Sequence, residues 1–300
     1  DEFVEQVLIP KYETNKKKRK MNTTYNSING KMVRLSKKIE ELPESSPTRA
    51  ELIQVYKELE IERRNHKVVD EMDSEFIRVK YVRYADDFII GVIGSKELTE
   101  QLKNEVAEFL QDRLKLTLSP EKTLITNFKD PVKFLGYEMY IQDSNTYLVK
   151  RKNGRISRAV NGIPRLMVPK EAIPKKLEKF MRDGKAVHRK ELTNLDIAEI
   201  ISIYSAEVRG LYNYYRMADN VANQMNKFKH YHRTSLAKTL AVKMRMSVAQ
   251  VRQKYEVDGT IGIIIKREPP KKDLIYKYYN EGFSKNDYVE SSNHQDDYLP

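Results

Sequence analysis

The pattern of apolar and polar residues divides the first half of the chain into strand-like and helix-like segments. Residues 76–83 alternate and are rich in strand formers, and the apolar run 88–93 follows after a short turn, which predicts a β-hairpin. Apolar residues three and four apart predict helices over 1–12 (ended by Pro10), 28–42 and 48–66, and after Ser95. Further short strands are predicted at 116–118, 123–126 and 132–140. Antiparallel strands with packed helices indicate the α+β fold class.

From about residue 155 the pattern becomes helical. The predicted helices cover residues 170–182, 195–217, 220–230 and 234–255, separated by Gly184, Asn220 and Thr234. The apolar side chains of the second helix fall on one face: Ile197, Ile200, Ile201, Tyr204, Val208 and Leu211. The run Ile261–Ile265 has the length of a strand, and the chain becomes polar after residue 270. We expect an α+β domain at 1–150 with a helical insertion at about 13–75, an all-helical domain at 151–265 and a polar tail at 266–300.

The charge of the chain points to a polyanionic partner. It carries 55 Lys and Arg residues against 43 Asp and Glu, and residues 155–245 alone hold 19 basic residues against 8 acidic ones. Such a surface gains affinity for nucleic acid because each Lys or Arg on a phosphate releases bound counterions. The basic run Lys16–Lys20 has no apolar residue, and a solvated loop and a phosphate-facing loop explain it equally well.

The absence of certain residues and segments from the sequence narrows the range of possible functions further. The chain has no Cys, which excludes disulfides, a thiol nucleophile, iron–sulfur clusters and cysteine-based zinc sites. No apolar run approaches the length of a membrane-spanning helix, and no secretory signal opens the chain. We therefore expect a soluble protein in a reducing compartment, with no membrane partner. The chain begins at Asp1 within a helical pattern, so we expect a piece of a longer protein.

Two adjacent acids, Asp86 and Asp87, occupy the predicted hairpin turn. Magnesium binds proteins through one or two carboxylates together with substrate phosphates, which suits such a tip. Two ions about 3.5–4 Å apart can stabilise the attacking and leaving oxygens of phosphoryl transfer. An ordinary acidic turn would also explain the pair, because Asp is a common turn residue.

The surrounding residues favour the metal-binding interpretation. Residues Val82–Phe88 resemble the Tyr-x-Asp-Asp signature of reverse transcriptases, and the longer match resembles those encoded within group II introns. Leu116–Thr123 and Lys133–Tyr137 resemble the next two blocks of that family, in the same order and at similar spacing. The resemblance implies a polymerase palm, in which Asp86 and Asp87 hold two catalytic Mg²⁺ ions.

The same resemblance implies roles for further residues. Lys122 matches a lysine that helps to protonate the leaving pyrophosphate, although a surface salt bridge to Glu121 or its neighbours would also explain it. The residues that would contact the primer or the template are Tyr84, Ala85, Phe134, Leu135, Gly136 and Tyr137. Phe134 and Tyr137 would equally serve as core aromatics, and Gly136 would permit close approach of a backbone.

One acid of the expected palm is not recognisable in this sequence. The family's metal site needs a further aspartate on an upstream strand, which we expect before residue 1. Asp70 and Asp73 are the only candidates shortly before the hairpin, and they lie in a predicted loop. We therefore expect that these 300 residues by themselves do not polymerise DNA.

Residues 195–245 resemble the helical maturase domain of the same family, called domain X. The match lies in Arg209–Asn220 and Ser235–Lys243. In that family the domain acts as the polymerase thumb and binds intron RNA. The candidate RNA-binding residues are Arg209, Tyr214, Arg216, Lys238, Lys243 and Arg245, since cationic side chains contact phosphates and tyrosines stack on bases.

We assign the remaining candidate side chains of this region to the core or to the surface. We expect Tyr212 and Tyr215 to belong to the core, where aromatics contribute much of the buried area. His230 and His232 are two residues apart, on different faces of a helix and without Cys nearby, so we expect RNA contact or exposure and no metal site.

Taken with the resemblance, the sequence predicts an intron-encoded protein that binds group II intron RNA to promote splicing. When intact, it would copy RNA into DNA for intron homing, using Mg²⁺, deoxynucleotides, an RNA template and a DNA primer. The alternative is an RNA-binding splicing factor with a relic palm, while a retroviral-type enzyme is disfavoured by the absence of a ribonuclease H-like acid cluster. Enrichment in Lys, Asn, Tyr and Ile favours a mitochondrion over a bacterial cytoplasm, and the oligomeric state is left open.

Overall fold

The computed structural model describes residues 1–143, 148–150, 156–158 and 162–286, and it divides into two compact units. Unit 1 contains residues 1–134 and the described part of 140–164, and unit 2 contains 135–139 and the described residues from 165 onward. The predicted boundary at 150/151 therefore lies 14 residues before the main division, at 164/165. Helices and antiparallel strands are both present, so the α+β class is confirmed.

Unit 1 pairs helices with a β-hairpin. Its helical elements are a π-helical turn Phe3–Leu8, α1 (Ile9–Tyr12), α2 (Thr23–Glu41), α3 (Pro47–Arg64) and α4 (Lys96–Leu114). Its strands, some of which extend into unit 2, are β1 (Arg78–Tyr84), β2 (Asp87–Ile93), β3 (Val132–Phe134), β4 (Tyr137–Gln142), β5 (Leu148–Lys150), β6 (Ile156–Arg158) and β7 (Ile163–Met167). The hairpin packs on the first helical segment and α4 through a buried cluster: Val4, Leu8, Val79, Leu102 and Val106.

Two local predictions for unit 1 are wrong. Pro10 does not end the first helix, which continues to Tyr12, because Pro10 lies in the first turn of α1, where no N–H partner is needed. Residues 116–118 and 123–126 form no strands. The Leu116 N–H instead bonds to the Leu110 carbonyl at the end of α4, and the Lys103 ammonium binds the Thr123 carbonyl at 2.6 Å.

Unit 2 is built around two long helices that pack against each other, with short elements around them. Its helices are α5 (Ala172–Leu177), the 3₁₀ turns Glu178–Phe180 and Lys190–Leu192, α6 (Ile197–Tyr215), α7 (Val221–Met244) and α8 (Val248–Lys254). Its short strands are β8 (Met181–Arg182), β9 (Lys185–Ala186), β10 (Glu256–Val257), β11 (Thr260–Ile265) and β12 (Leu274–Lys277). The predicted face of α6 is confirmed, because Ile200, Ile201, Tyr204 and Val208 are all fully buried.

The predicted break at Thr234 is absent, and α7 runs through it. The Thr234 hydroxyl donates to the His230 carbonyl at 2.8 Å, one turn back, so the side chain is accommodated inside the helix. The real break comes at Arg245, which has a left-handed φ of 50°. Ser247 and Gln250 then form a capping box that starts α8.

The predictions of an all-helical domain at 151–265 and a polar tail at 266–300 are both wrong within the described residues. β10, β11 and β12 form a three-stranded antiparallel sheet in which Ile263 pairs with Tyr276. Tyr278, Tyr279 and Phe283 are buried in the core of unit 2. These aromatics follow β12 and lie among polar residues, so the composition of the segment did not predict their burial. Residues 291–300, predicted to be frayed, lie outside the described residues.

Candidate functional site

The hairpin places two acids at its tip. Tyr84 pairs with Asp87, so Ala85 and Asp86 form a two-residue turn. Ala85 has a φ of 51°, a left-handed conformation that is uncommon for residues other than glycine. The Arg83 guanidinium donates to the Ala85 carbonyl at 2.7 Å and holds this turn. Such strained positions cluster at functional sites.

Asp86 and Asp87 are both exposed. In the part of the chain that the structure describes, neither carboxylate has a hydrogen bond or an ion pair. Carboxylate oxygens are the ligands that Mg²⁺ prefers, and one or two of them with substrate phosphates are enough to bind it. The pair therefore fits a divalent cation that arrives with a nucleotide.

In the part of the chain that the structure describes, no third acid joins this pair. Among the described residues, no group of three or more His, Asp or Glu side chains is arranged to hold a metal ion. The Asp73 carboxylate accepts the Lys20 N–H at 2.7 Å and the Lys16 ammonium at 3.0 Å, and these contacts lower the pKa of Asp73 to about 2. Asp70 accepts the Met72 N–H at 2.9 Å. Both candidates named from the sequence are thus engaged in loop structure.

Lys122 is exposed in a turn that follows α4. Its N–H bonds to the Ser119 carbonyl at 3.2 Å, which defines the turn. The alternative salt bridge to Glu121 is not formed, and the Lys122 ammonium has no ion pair within the described ranges. The side chain is therefore available for a phosphate.

The predicted primer-contacting turn is strained and packed on α6. Leu135 and Gly136 have left-handed φ values of 47° and 72°. The Tyr137 hydroxyl donates to the Tyr214 carbonyl, and the Tyr137 ring packs edge-on against Tyr215 at 5.3 Å. Burial raises the pKa of Tyr137. Tyr137 is therefore half-buried against the core of unit 2, as one of its two interpretations expected, and Phe134 is also half-buried.

The predicted RNA-binding residues divide into two groups. Arg209, Arg216 and Arg245 are exposed on or near the ends of α6 and α7. Lys238 and Lys243 are half-buried, and their ammonium groups donate to the carbonyls of Ala186 at 2.6 Å and Thr193 at 3.1 Å. The two lysines therefore fasten neighbouring loops to α7. Tyr214, the remaining candidate, is 52% exposed.

The expected core tyrosines behave differently from each other. Tyr215 is buried, as expected, whereas Tyr212 is half-buried and packs against the core. The Tyr212 hydroxyl donates to the Ser284 carbonyl at 2.9 Å.

A buried polar cluster was missed at the sequence level. His232, expected to be exposed, is 0% exposed, and its two ring nitrogens lie 3.0 Å from the Glu207 carboxylate and 3.0 Å from the Tyr278 hydroxyl. Burial lowers the pKa of His232, which favours a neutral ring that donates to Glu207 and accepts from Tyr278. Burial opposes ionisation of Glu207, but His232, Lys179 and Arg189 together lower its pKa to about 2. His232 lies four residues from both Phe228 and Leu236, and this helical spacing is the sequence signal that could have predicted its burial.

None of the helices in the described part of the chain is long and apolar enough to cross a membrane.

A hairpin with two free acids at its tip and a basic helical unit are the parts of a reverse transcriptase joined to a maturase domain. Comparison with known families agrees with this class. Residues 62–139 match the family described as reverse transcriptase (RNA-dependent DNA polymerase), and residues 162–294 match the family described as type II intron maturase.

Individual relatives give the same answer. The chain is 36% identical over 215 residues to the group II intron-encoded protein LtrA of Lactococcus lactis, covering 68% of this chain and 35% of LtrA. It is 34% identical over 189 residues to the putative COX1/OXI3 intron 1 protein of Saccharomyces cerevisiae, covering 58% and 22%. It is 29% identical over 229 residues to the mitochondrial protein ymf11 of Marchantia polymorpha, covering 59% and 30%. The chain belongs to the family of group II intron-encoded reverse transcriptases and maturases, and it spans about a third of LtrA.

Proposed function

We propose that unit 2 binds group II intron RNA and promotes its splicing, and that the hairpin of unit 1 belongs to the catalytic centre of an RNA-directed DNA polymerase. The observation that carries the second part is the unpaired state of Asp86 and Asp87 at a strained, exposed turn. Exposed carboxylates without a protein partner are accessible to a metal ion that arrives with a nucleotide. The LtrA relative, which is named as group II intron-encoded, supports the choice of RNA.

Asp86 and Asp87 would hold Mg²⁺ in this polymerase. Two such ions, when bound with a deoxynucleotide, neutralise charge on the transferring phosphate and on the leaving pyrophosphate. Tyr84 and Ala85 would contact the DNA primer end or the RNA template, and the exposed Lys122 would donate a proton to the leaving group. DNA synthesis on the intron RNA would serve intron homing.

Exposed arginines support the RNA-binding part of the proposal. Arg209, Arg216 and Arg245 form no ion pair with an acid among the described residues, and each would neutralise an RNA phosphate. Their guanidinium groups suit phosphate because they present several donors in one plane. Binding of this kind is strongly weakened by salt.

A second function is favoured by the missing third acid. Because no further carboxylate accompanies Asp86 and Asp87 in the described residues, the chain would also fit an RNA-binding splicing factor with a relic palm. The two functions share intron RNA binding and differ in DNA synthesis. We further propose a mitochondrial location, supported by the mitochondrial naming of one relative and by enrichment in Lys, Asn, Tyr and Ile.

The test of the shared function is a binding titration of the 300-residue chain with group II intron RNA. An unrelated structured RNA of equal length serves as the competitor. We expect the intron RNA to bind at least tenfold more tightly at moderate salt, a preference of about 1.4 kcal/mol. Equal affinity for both RNAs would mean that the chain is only a general polyanion binder, and the proposal would fail.

A further inference from the structure

Two reciprocal hydrogen bonds fasten the turn Leu135–Gly136 to the end of α6. The Tyr214 hydroxyl donates to the Leu135 carbonyl at 2.7 Å. In the opposite direction, the Tyr137 hydroxyl donates to the Tyr214 carbonyl. The two rings stack with centroids 5.9 Å apart and an interplanar angle of 25°. Tyr137 therefore binds the carbonyl of Tyr214 itself, and Tyr214 binds the carbonyl two residues before Tyr137.

The backbone of this turn needs such support. Leu135 has a φ of 47°, and a left-handed conformation is unfavourable for a residue with a branched side chain. The carbonyl that Tyr214 binds belongs to this same residue, so the hydrogen bond fixes the orientation of the peptide group that follows the strained angle. Removal of the hydroxyl would leave Leu135 free to relax.

Gly136 is required for the same contact. Its φ of 72° favours glycine, and a Cβ atom at this position would lie 2.6 Å from the Tyr214 hydroxyl oxygen and 3.3 Å from the ring. A side chain here would therefore displace Tyr214. The glycine provides both the turn conformation and the space that the tyrosine occupies.

Both the ring and the hydroxyl of Tyr214 are engaged at this turn, the ring by Tyr137 and the hydroxyl by Leu135. The hydroxyl hydrogen is used by Leu135, although 52% of the Tyr214 side chain is exposed. We propose that Tyr214 is a positioning residue, which holds the Leu135–Gly136 turn in the conformation that contacts the primer strand. The inference rests on the proposed polymerase function and on the primer contact that the family resemblance implies for Leu135 and Gly136. It adds a residue of the maturase domain to that contact.

The experiment compares two single-atom deletions on one helix. Tyr214→Phe removes the hydroxyl that binds Leu135, and the matched control Tyr212→Phe removes the hydroxyl that binds the Ser284 carbonyl at 2.9 Å. Each variant of the full chain is titrated with an RNA-template/DNA-primer duplex and, separately, with group II intron RNA. Amide hydrogen exchange of residues 135–137 is followed in the same samples.

We expect Tyr214→Phe to weaken duplex binding three- to tenfold, as the loss of one hydrogen bond allows, and to speed amide exchange in the turn. Intron RNA binding should change less than twofold, and Tyr212→Phe should change neither affinity. Gly136→Ala is expected to reproduce the duplex defect, because it displaces Tyr214.

Two results would overturn the inference while leaving the proposed function intact. One is a Tyr214→Phe variant with unchanged duplex affinity, and the other is an equal loss for duplex and intron RNA, which indicates a general structural role. A wild-type chain that binds intron RNA and not the duplex would overturn the primer role of the turn. A wild-type chain that binds neither would overturn the proposed function and the inference together.

Discussion

Asp86 is exposed at the tip of the hairpin, directly after an alanine in a left-handed conformation. Ala85 adopts a left-handed φ of 51° within a two-residue turn, which ends β1 and leaves the two acids at the tip. An alanine tolerates this conformation better than a branched residue, and the Arg83 guanidinium supports it through the Ala85 carbonyl. The local chemistry is thus a pair of carboxylates held out from the sheet by a strained turn.

The role of this pair can be tested at Asp86. The test is made in a protein of this family that carries the complete palm. Asp86→Asn replaces a negatively charged carboxylate with a neutral amide, which binds Mg²⁺ less well, so we expect primer extension to fall at least a hundredfold. Intron RNA binding should stay within twofold of wild type. Asp112→Asn, at an exposed acid of α4, is the control and should retain activity. Near wild-type extension by Asp86→Asn would show that the hairpin is not the metal site.

Arg209 and Lys238 have similar charge but different surroundings. Arg209 is exposed, whereas the Lys238 ammonium donates to the Ala186 carbonyl. Arg209→Ala is expected to reduce the slope of log affinity against log salt by about one. Lys238→Ala is expected to leave that slope unchanged and to lower the free energy of unfolding by about 1 kcal/mol.

Binding titrations at four salt concentrations and urea unfolding separate these two effects. If Lys238→Ala flattens the salt slope as Arg209→Ala does, the lysine also contacts phosphate in the complex. An unchanged salt slope for both variants would show that the RNA-binding surface does not include Arg209.

At the scale of elements, strand β12 ties the end of the described chain to the core of unit 2. The residue that follows it, Tyr278, is 0% exposed and hydrogen-bonds His232 of α7 at 3.0 Å. His232 in turn contacts Glu207 of α6, so one polar cluster connects two helices and the segment that follows β12. Because the cluster is buried, each of its groups needs its partner.

Tyr278→Phe tests this connection. The substitution keeps the ring but leaves the buried His232 nitrogen without a donor, so we expect the free energy of unfolding to fall by about 1–3 kcal/mol. Tyr276→Phe, within β12 and half-exposed, should change it by less than about 0.5 kcal/mol. Urea unfolding followed by circular dichroism measures both. Equal stability of the two variants would mean that β12 contributes nothing through this hydroxyl.

At the scale of the whole molecule, the described residues include a complete core for the proposed RNA-binding unit but only part of the proposed metal site for DNA synthesis. The basic helical unit has its own large core, of which Ile200, Tyr204 and Leu236 are fully buried members. The hairpin acids, by contrast, lack a third carboxylate within the described residues, since Asp70 and Asp73 are engaged elsewhere.

We therefore expect the purified 300-residue chain to bind structured RNA in a salt-sensitive way and to show no primer extension with Mg²⁺. A metal site that lacks one ligand binds the ion weakly and without productive geometry. Primer extension and an RNA titration at two salt concentrations are measured on one preparation. Robust extension would show that another acid of this chain completes the site.

The sequence by itself determined the local elements and the candidate chemistry. Alternation around residues 76–93 predicted the hairpin, and three- and four-residue spacing predicted the buried face of α6. These features depend on neighbours along the chain, so they can be read from a pattern. The adjacent acids and their flanking residues likewise pointed to reverse transcriptases, a family that the comparisons confirmed.

The tertiary structure alone decided which polar groups face one another. It buried His232 and Tyr278, directed the Lys238 ammonium to a carbonyl, left residues 123–126 without a strand partner and placed Tyr214 on the Leu135 turn. The physical reason is that a polar side chain is buried only where a distant group satisfies its hydrogen bonds, and that group is absent from any local pattern.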